Sequence, residues 1–336
     1  MPSPIAPPRA PTPADWLGWL LVALIGGSAP AAINVAIDGA PPLVIAGMRT
    51  LAAAVVLTVF VYATGRRIIA PWTREGRMVW LFGAGAGFFG YAMPFTLFPI
   101  AQTEVSSIMA GIVMACLPVM SVLLAGLLAG ETLTRRALLG VLIGLGGVFI
   151  LIGPAALGGA EGTVFGISLL LCAVFGYAAM GVVMRRAPEH PARSFAATMM
   201  IAASLMTAPV LIATGVDDVT PAGWLAMAYL GFGPTGFTAI LIVTVVRRAG
   251  AAFLSTSAYL APVVSVVLGM LLFAEPLHVN QVLGLLTIMA GIALTQGNLA
   301  TLQKIISPRM VVTALPFRRT RSAESVHTAV PPRSDT

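Results

Sequence analysis

Charged side chains are what this sequence most lacks. Only 9% of its 336 residues are Asp, Glu, Lys or Arg, and 12 in all are acidic. A soluble domain carries roughly a quarter. With 58% hydrophobic residues and a mean hydropathy of +0.95, the chain has no surface to offer water, so a soluble globular protein is excluded and lipid is left as the solvent. Histidine is nearly as scarce. His190, His278 and His327 lie far apart in loops or the tail, so no metal centre and no histidine-based acid–base pair is expected. The two cysteines, Cys116 and Cys172, each sit in an apolar run without a CxxC. They read as small apolar residues rather than a disulfide or metal site. No GxSxG, HExxH, phosphate-binding loop or paired acidic motif occurs, which leaves no basis for an enzyme, an ATP site or a cofactor.

What is present is long apolar runs. A bilayer core needs about 20 apolar residues in a helix, and ten runs qualify: 16–36, 42–63, 78–100, 105–129, 136–153, 163–184, 194–214, 222–246, 251–273 and 279–297. They are too long for strands and lack alternation, so the expected class is an all-α integral membrane protein. Residues 1–14 are Pro-rich, do not resemble a cleavable signal, and read as a disordered lead. Residues 303–336 read as a disordered basic tail. Its arginines are free either to rest on anionic headgroups or simply to face water.

A net charge of +7 and a pI of about 10.2 raise the question of nucleic acid, but the positions of the charges answer it. Arg9, Arg66, Arg67, Arg74, Arg77, Arg135, Arg136, Arg185, Arg186, Arg193, Arg247, Arg248 and the basic residues of the tail all fall on one side of a ten-span chain. The opposite loops hold Asp38, Glu104, Glu161, Asp217, Asp218 and Glu275 and no Lys or Arg. By the positive-inside rule both termini are cytoplasmic; the expected location is a bacterial inner (plasma) membrane. The expected partners are the bilayer and a small molecule, not nucleic acid, with the chain a monomer or homodimer.

Two stretches align at a constant offset of 144. Pro118 pairs with Pro262, Ser121 with Ser265, Glu131 with Glu275, Gly140 with Gly284, Gly147 with Gly291, Trp80 with Trp224 and Gly87 with Gly231. Pro42 matches Pro191 at a slightly different offset. Two halves of five spans, near 15–153 and 161–297, enter the membrane from opposite sides. Inverted halves of this kind form a midplane cavity that opens alternately to either face. The twin Pro…Glu…Gly segments, Gly130-Glu131 and Ala274-Glu275 closing helices, Arg49 in span 2 and the Gly-rich first span make the chain resemble the EamA-type family of the drug/metabolite transporter superfamily. That resemblance implies a ten-helix fold and transport of amino acids or other metabolites, often outward. Gly27-Ser28 departs from the Trp-Gly frequent in the family, removing an aromatic near the start of the cavity.

Several residues are candidates for the site. Arg49 lies within a span, where charge costs about 2.5–3.5 kcal/mol. It reads either as a countercharge for a substrate carboxylate or phosphate, or as a snorkelling structural residue. Spans 3 and 8 are interrupted at Gly87, Gly90 and Pro94 and at Gly231 and Pro234, and paired breaks point either to a central site or to close helix packing through small residues. Asn34, Tyr91, Tyr177, Thr235, Ser257 and Tyr259 supply scattered polar groups for a mainly apolar cavity. The resemblance puts Tyr177 and Tyr259 on cavity-lining spans. Glu131 and Glu275 read either as proton carriers or, as their symmetric placement favours, as caps on the next helix. The leading expectation is a secondary transporter exporting an amino acid or similar metabolite. The alternatives are import of a vitamin or nucleoside-like compound, a membrane enzyme, or a non-transporting scaffold.

Overall fold

A computed structural model describes residues 11–129, 133–158 and 161–296. Among these residues there are helices and no strands. In chain order they are α1 (Pro13–Gly27), α2 (Ala29–Ile37), α3 (Pro42–Ala63), α4 (Arg74–Gly87), a π-helical segment Phe88–Ala92, α5 (Met93–Ala101), α6 (Ser107–Met114), α7 (Leu117–Ala129), α8 (Arg135–Leu157), α9 (Glu161–Arg186), α10 (Ala192–Thr214), α11 (Pro221–Leu230), a second π-helical segment Gly231–Phe237, α12 (Thr238–Ala249), α13 (Ala251–Ser255), a 3₁₀ turn Thr256–Tyr259, α14 (Leu260–Phe273) and α15 (Val279–Gln296).

Merged across their breaks, nine of these are long and apolar enough to cross a membrane. Where a tenth span is expected, at 279–297, there is a shorter apolar helix, Val279–Thr295, about 25 Å long at 1.5 Å per residue.

Helix starts are written locally. Thr73, Ser106, Thr134 and Thr220 each accept a hydrogen bond from the backbone N–H three residues on, which satisfies donors that a new helix leaves orphaned. The first helix begins earlier than expected and takes Pro13 and Ala14 out of the predicted disordered lead. Thr12 is its N-cap, Pro13 its first helical residue, and the Asp15 carboxylate accepts from the Thr12 N–H at 3.0 Å and hydroxyl at 2.6 Å, a reciprocal cap that nucleates the turn. The predicted disordered tail and Glu131 lie outside the described residues.

The helices hold together by close approach of small residues. α8 and α15 pack along their lengths through four glycines. A Cβ on Gly140 would lie 2.7 Å from the Gly291 carbonyl oxygen, and one on Gly291 2.6 Å from that of Gly140. Gly147 and Gly284 face each other the same way, at 2.8 and 3.1 Å. No side chain fits there, so backbone meets backbone and dispersion does the work that hydrophobic burial cannot do in lipid. Gly140 thus meets the repeat-mate of Gly147, and Gly147 the repeat-mate of Gly140, the self-complementary pattern of a two-fold interface.

Glu275 overturns one expectation. Its carboxylate does not cap the helix that follows it. Instead it accepts from the Ser107 and Ile108 N–H groups, both at 2.9 Å, and so caps α6. The cause is the end of α14. Ala274 adopts a left-handed conformation (φ 51°), and the Glu275 N–H bonds back to the Gly269 carbonyl at 3.2 Å. This turns the carboxylate back toward α6. The start of α15 is served by its own Gln281, which accepts from the His278 N–H at 3.0 Å.

Candidate functional site

A cavity of about 340 Å³ lies where α1 and α2, α3, α5, α6 and α7, α9, α12 and α14 converge. The two π segments contribute to it, through Tyr91 and through Pro234 and Thr235. Pro94 follows the first π segment and Pro234 lies within the second. Proline donates no N–H, and the wider π turns keep each helix continuous while shifting its register, as such bulges do at functional sites. The Thr235 hydroxyl takes up one freed acceptor, donating to the Leu230 carbonyl five residues back at 2.8 Å. Thr238 does the same for Gly233 at 3.1 Å.

Arg49 enters from α3 and is only 6% exposed. Its Nε donates to the Thr235 hydroxyl oxygen at 2.9 Å. Its guanidinium carbon lies 3.6 Å from the centre of the Phe95 ring, a cation–π stack that gains strength where water is excluded. The stack and the hydrogen bond together fix the guanidinium plane. Among the described residues its two terminal nitrogens donate to no protein atom, so the fork faces the cavity. Tyr91, Phe95 and Phe98 follow one another at helical spacing on the same wall. Tyr91 meets Phe95 edge-on at 5.6 Å between centroids, and Phe98 meets Tyr177 of α9 at 6.4 Å.

Of the polar residues singled out from sequence, Arg49, Tyr91, Tyr177 and Thr235 come together here. Asn34, Ser257 and Tyr259 are not among the lining residues. Ser257 donates to the Leu254 carbonyl at 2.8 Å, and Tyr259 packs against the main apolar core. Of the break residues only Pro234 touches the cavity. Gly87 and Gly90 instead let α10 and α9 pack close, against the Met199 backbone and the Met180 side chain. Pro118 and Pro262, noted from sequence as repeat markers, both line it.

Sequence reasoning missed Phe95 and Phe98. Their spacing of four and seven from Tyr91 was the available signal. Much of the lining comes in pairs 144 positions apart: Tyr91 with Thr235, Phe95 with Ala239, Phe98 with Ile242, Leu117 with Ala261 and Pro118 with Pro262. The larger member of the first three pairs always comes from the first half, so the aromatic wall is one-sided. Among the described residues no three His, Cys, Asp or Glu side chains are grouped so as to hold a metal.

The model of the EamA-like transporter family matches residues 14–153 and again 164–296. The chain belongs to this family. The chain is 30% identical over 258 residues to the aromatic amino acid exporter YddG of Ancylobacter novellus, covering 74% of this chain and 78% of that one. It is 27% identical over 295 residues to the uncharacterized inner membrane transporter YedA of Escherichia coli K12, covering 87% and 92%. A solved crystal structure superposes with a TM-score of 0.60 at 22% identity, over 84% of this chain and 97% of the other, a likeness of fold. The protein is therefore a multi-pass membrane protein of a transporter family, and the double match of the family model falls on the two stretches that repeat in sequence.

Proposed function

We propose that this chain is a secondary transporter that exports a small metabolite of amino-acid size by alternating access of two inverted five-helix halves. Both termini are on the cytoplasmic side of the inner membrane, and α15 serves as the tenth span. The observation that carries this reading is the cavity lined by residues paired at an offset of 144. A site built from equivalent positions of both halves is one that an exchange of their conformations opens to either face. The reciprocal glycine contacts of α8 and α15 support the same symmetry.

Arg49, Tyr91, Tyr177 and Thr235 are the proposed substrate contacts; Asn34, Ser257 and Tyr259 are not included. At roughly 30 Å³ per water-sized volume, 340 Å³ accommodates on the order of a dozen non-hydrogen atoms, the size of an aromatic amino acid or a similar metabolite. Export is the direction in which the A. novellus relative, an aromatic amino acid exporter, is named.

The test is untargeted metabolite profiling of cells with and without the protein, followed by flux of the hits in proteoliposomes with the gradient set each way. The expected result is a metabolite depleted inside expressing cells and enriched outside. Accumulation inside establishes import, and no flux of any hit in either direction refutes the carrier.

A further inference from the structure

The cavity contains one charge and no countercharge. Arg49 is its cation, and no Asp or Glu is among its lining residues. An ion this buried is costly unless paired, yet its two terminal nitrogens donate to nothing in the described protein. The hydrogen bond to Thr235 and the stack on Phe95 orient the fork without neutralising it. A planar fork held in this way matches a carboxylate, which accepts two parallel N–H bonds.

We infer that the cargo is an organic monoanion, a carboxylate with an apolar or aromatic body and no ammonium group; this rests on the carrier reading above. The argument turns on the second charge of a zwitterion. An ammonium needs a countercharge or several acceptors, and the cavity supplies no carboxylate: besides Arg49 its lining polar side chains are the neutral Tyr91, Tyr177, Thr235, Thr238 and Ser265, and the Pro30 carbonyl is already taken by Gln102 at 2.8 Å. Proline leaves the carbonyl four residues before it without its helical N–H. For Pro118 and Pro262 these are the carbonyls of Met114 and Ala258, both on lining residues. Such neutral acceptors suit a hydroxyl group, which donates to them, but they do not neutralise a desolvated ammonium. A 2-hydroxy acid with a ring to lay against Phe98 and Tyr177 gives the Arg49 fork its carboxylate and one of these carbonyls a hydroxyl donor.

Cargo charge also sets direction. When the cargo moves alone, the net charge moved in each full cycle is that of the cargo. A monoanion is driven out of an inside-negative cell, and 100 mV is worth about 2.3 kcal/mol per charge, roughly a fifty-fold outward gradient.

The experiment compares three molecules with one skeleton: 3-phenyllactate (anion), phenylalanine (zwitterion) and phenylalaninol (cation). Binding to the purified full-length chain is measured by titration calorimetry, and movement by counterflow in proteoliposomes under imposed potassium diffusion potentials. The expected result is phenyllactate bound at least tenfold more tightly than phenylalanine, phenylalaninol not bound, and phenyllactate efflux accelerated by an inside-negative potential. In Arg49→Gln the preference disappears while the protein stays monodisperse. The wild-type comparison stands on its own if that variant does not fold. Phenylalanine bound as well as phenyllactate, or better, overturns the monoanion and leaves the carrier standing. Binding of neither also overturns it, and the carrier is then judged by the metabolite profiling.

Discussion

Replacing Glu275 by alanine removes two hydrogen bonds and a charge from the start of α6. The carboxylate accepts from Ser107 and Ile108 N–H groups at 2.9 Å each, across 168 and 167 residues of chain, in partly buried surroundings. A hydrogen bond to a charged group contributes about 1.5–3 kcal/mol, and negative charge at a helix N-terminus adds about 0.3–1 kcal/mol. Partial burial lets water recover some of this, so Glu275→Ala is expected to cost about 3 kcal/mol. Glu275→Gln separates the two parts. It keeps one carbonyl acceptor but turns an amide N–H toward the second backbone N–H, and is expected to lose about half as much. The assay is reversible unfolding in mixed micelles titrated with SDS and followed by near-ultraviolet circular dichroism. Glu161→Ala, at the exposed start of α9, is the control, expected to change stability by less than about 0.5 kcal/mol. If Glu275→Ala costs no more than Glu161→Ala, the cap does not hold α14 to α6 and the reasoning fails.

Three further outcomes follow from the same contacts. Gly291→Val places side-chain atoms where the Gly140 carbonyl and the Gly144 backbone already stand; it should destabilise by about 1–3 kcal/mol or more in the same unfolding assay, whereas Gly146→Val, with open space at its Cβ, should be close to neutral. Thr235→Val removes the acceptor for Arg49 Nε and the donor to the Leu230 carbonyl, so cargo affinity should fall about tenfold, near 1.4 kcal/mol, and recover in Thr235→Ser by calorimetry. Ala274→Gly relieves a left-handed alanine (φ 51°) and should raise the unfolding free energy by up to about 1–2 kcal/mol; a lower stability would show that this turn is not strained.

Much of this molecule is read from local signals. A span is recognised from its own residues because every apolar side chain and every backbone bond of a helix must be satisfied within that segment in lipid. The expected 42–63 and 251–273 lie on the observed Pro42–Ala63 and Phe253–Phe273. Helix starts are equally local, since a Ser or Thr cap acts on an N–H three residues away. The breaks at Gly87–Pro94 and Gly231–Pro234 were visible as composition, and they did become the two π segments. The first helix was misjudged by a few residues because the Thr12–Asp15 cap lies inside a proline-rich stretch that otherwise reads as coil.

What the sequence determined alone was therefore the solvent, the apolar runs, the repeat at 144 and the isolation of Arg49 as a charge within a span. What only the tertiary structure decided was who meets whom. Arg49 finds Phe95, 46 positions on, and Thr235, 186 positions on. Glu275 reaches α6 rather than its own neighbour. Tyr259, equal to Tyr177 as a sequence candidate, does not line the cavity that Tyr177 does. The reason is physical. Burial in lipid is a property of each residue and its near neighbours, whereas in a membrane no hydrophobic force selects one helix partner over another. That choice falls to backbone approach at glycines and to a few polar groups that must each find a complement, and neither exists until the helices have packed.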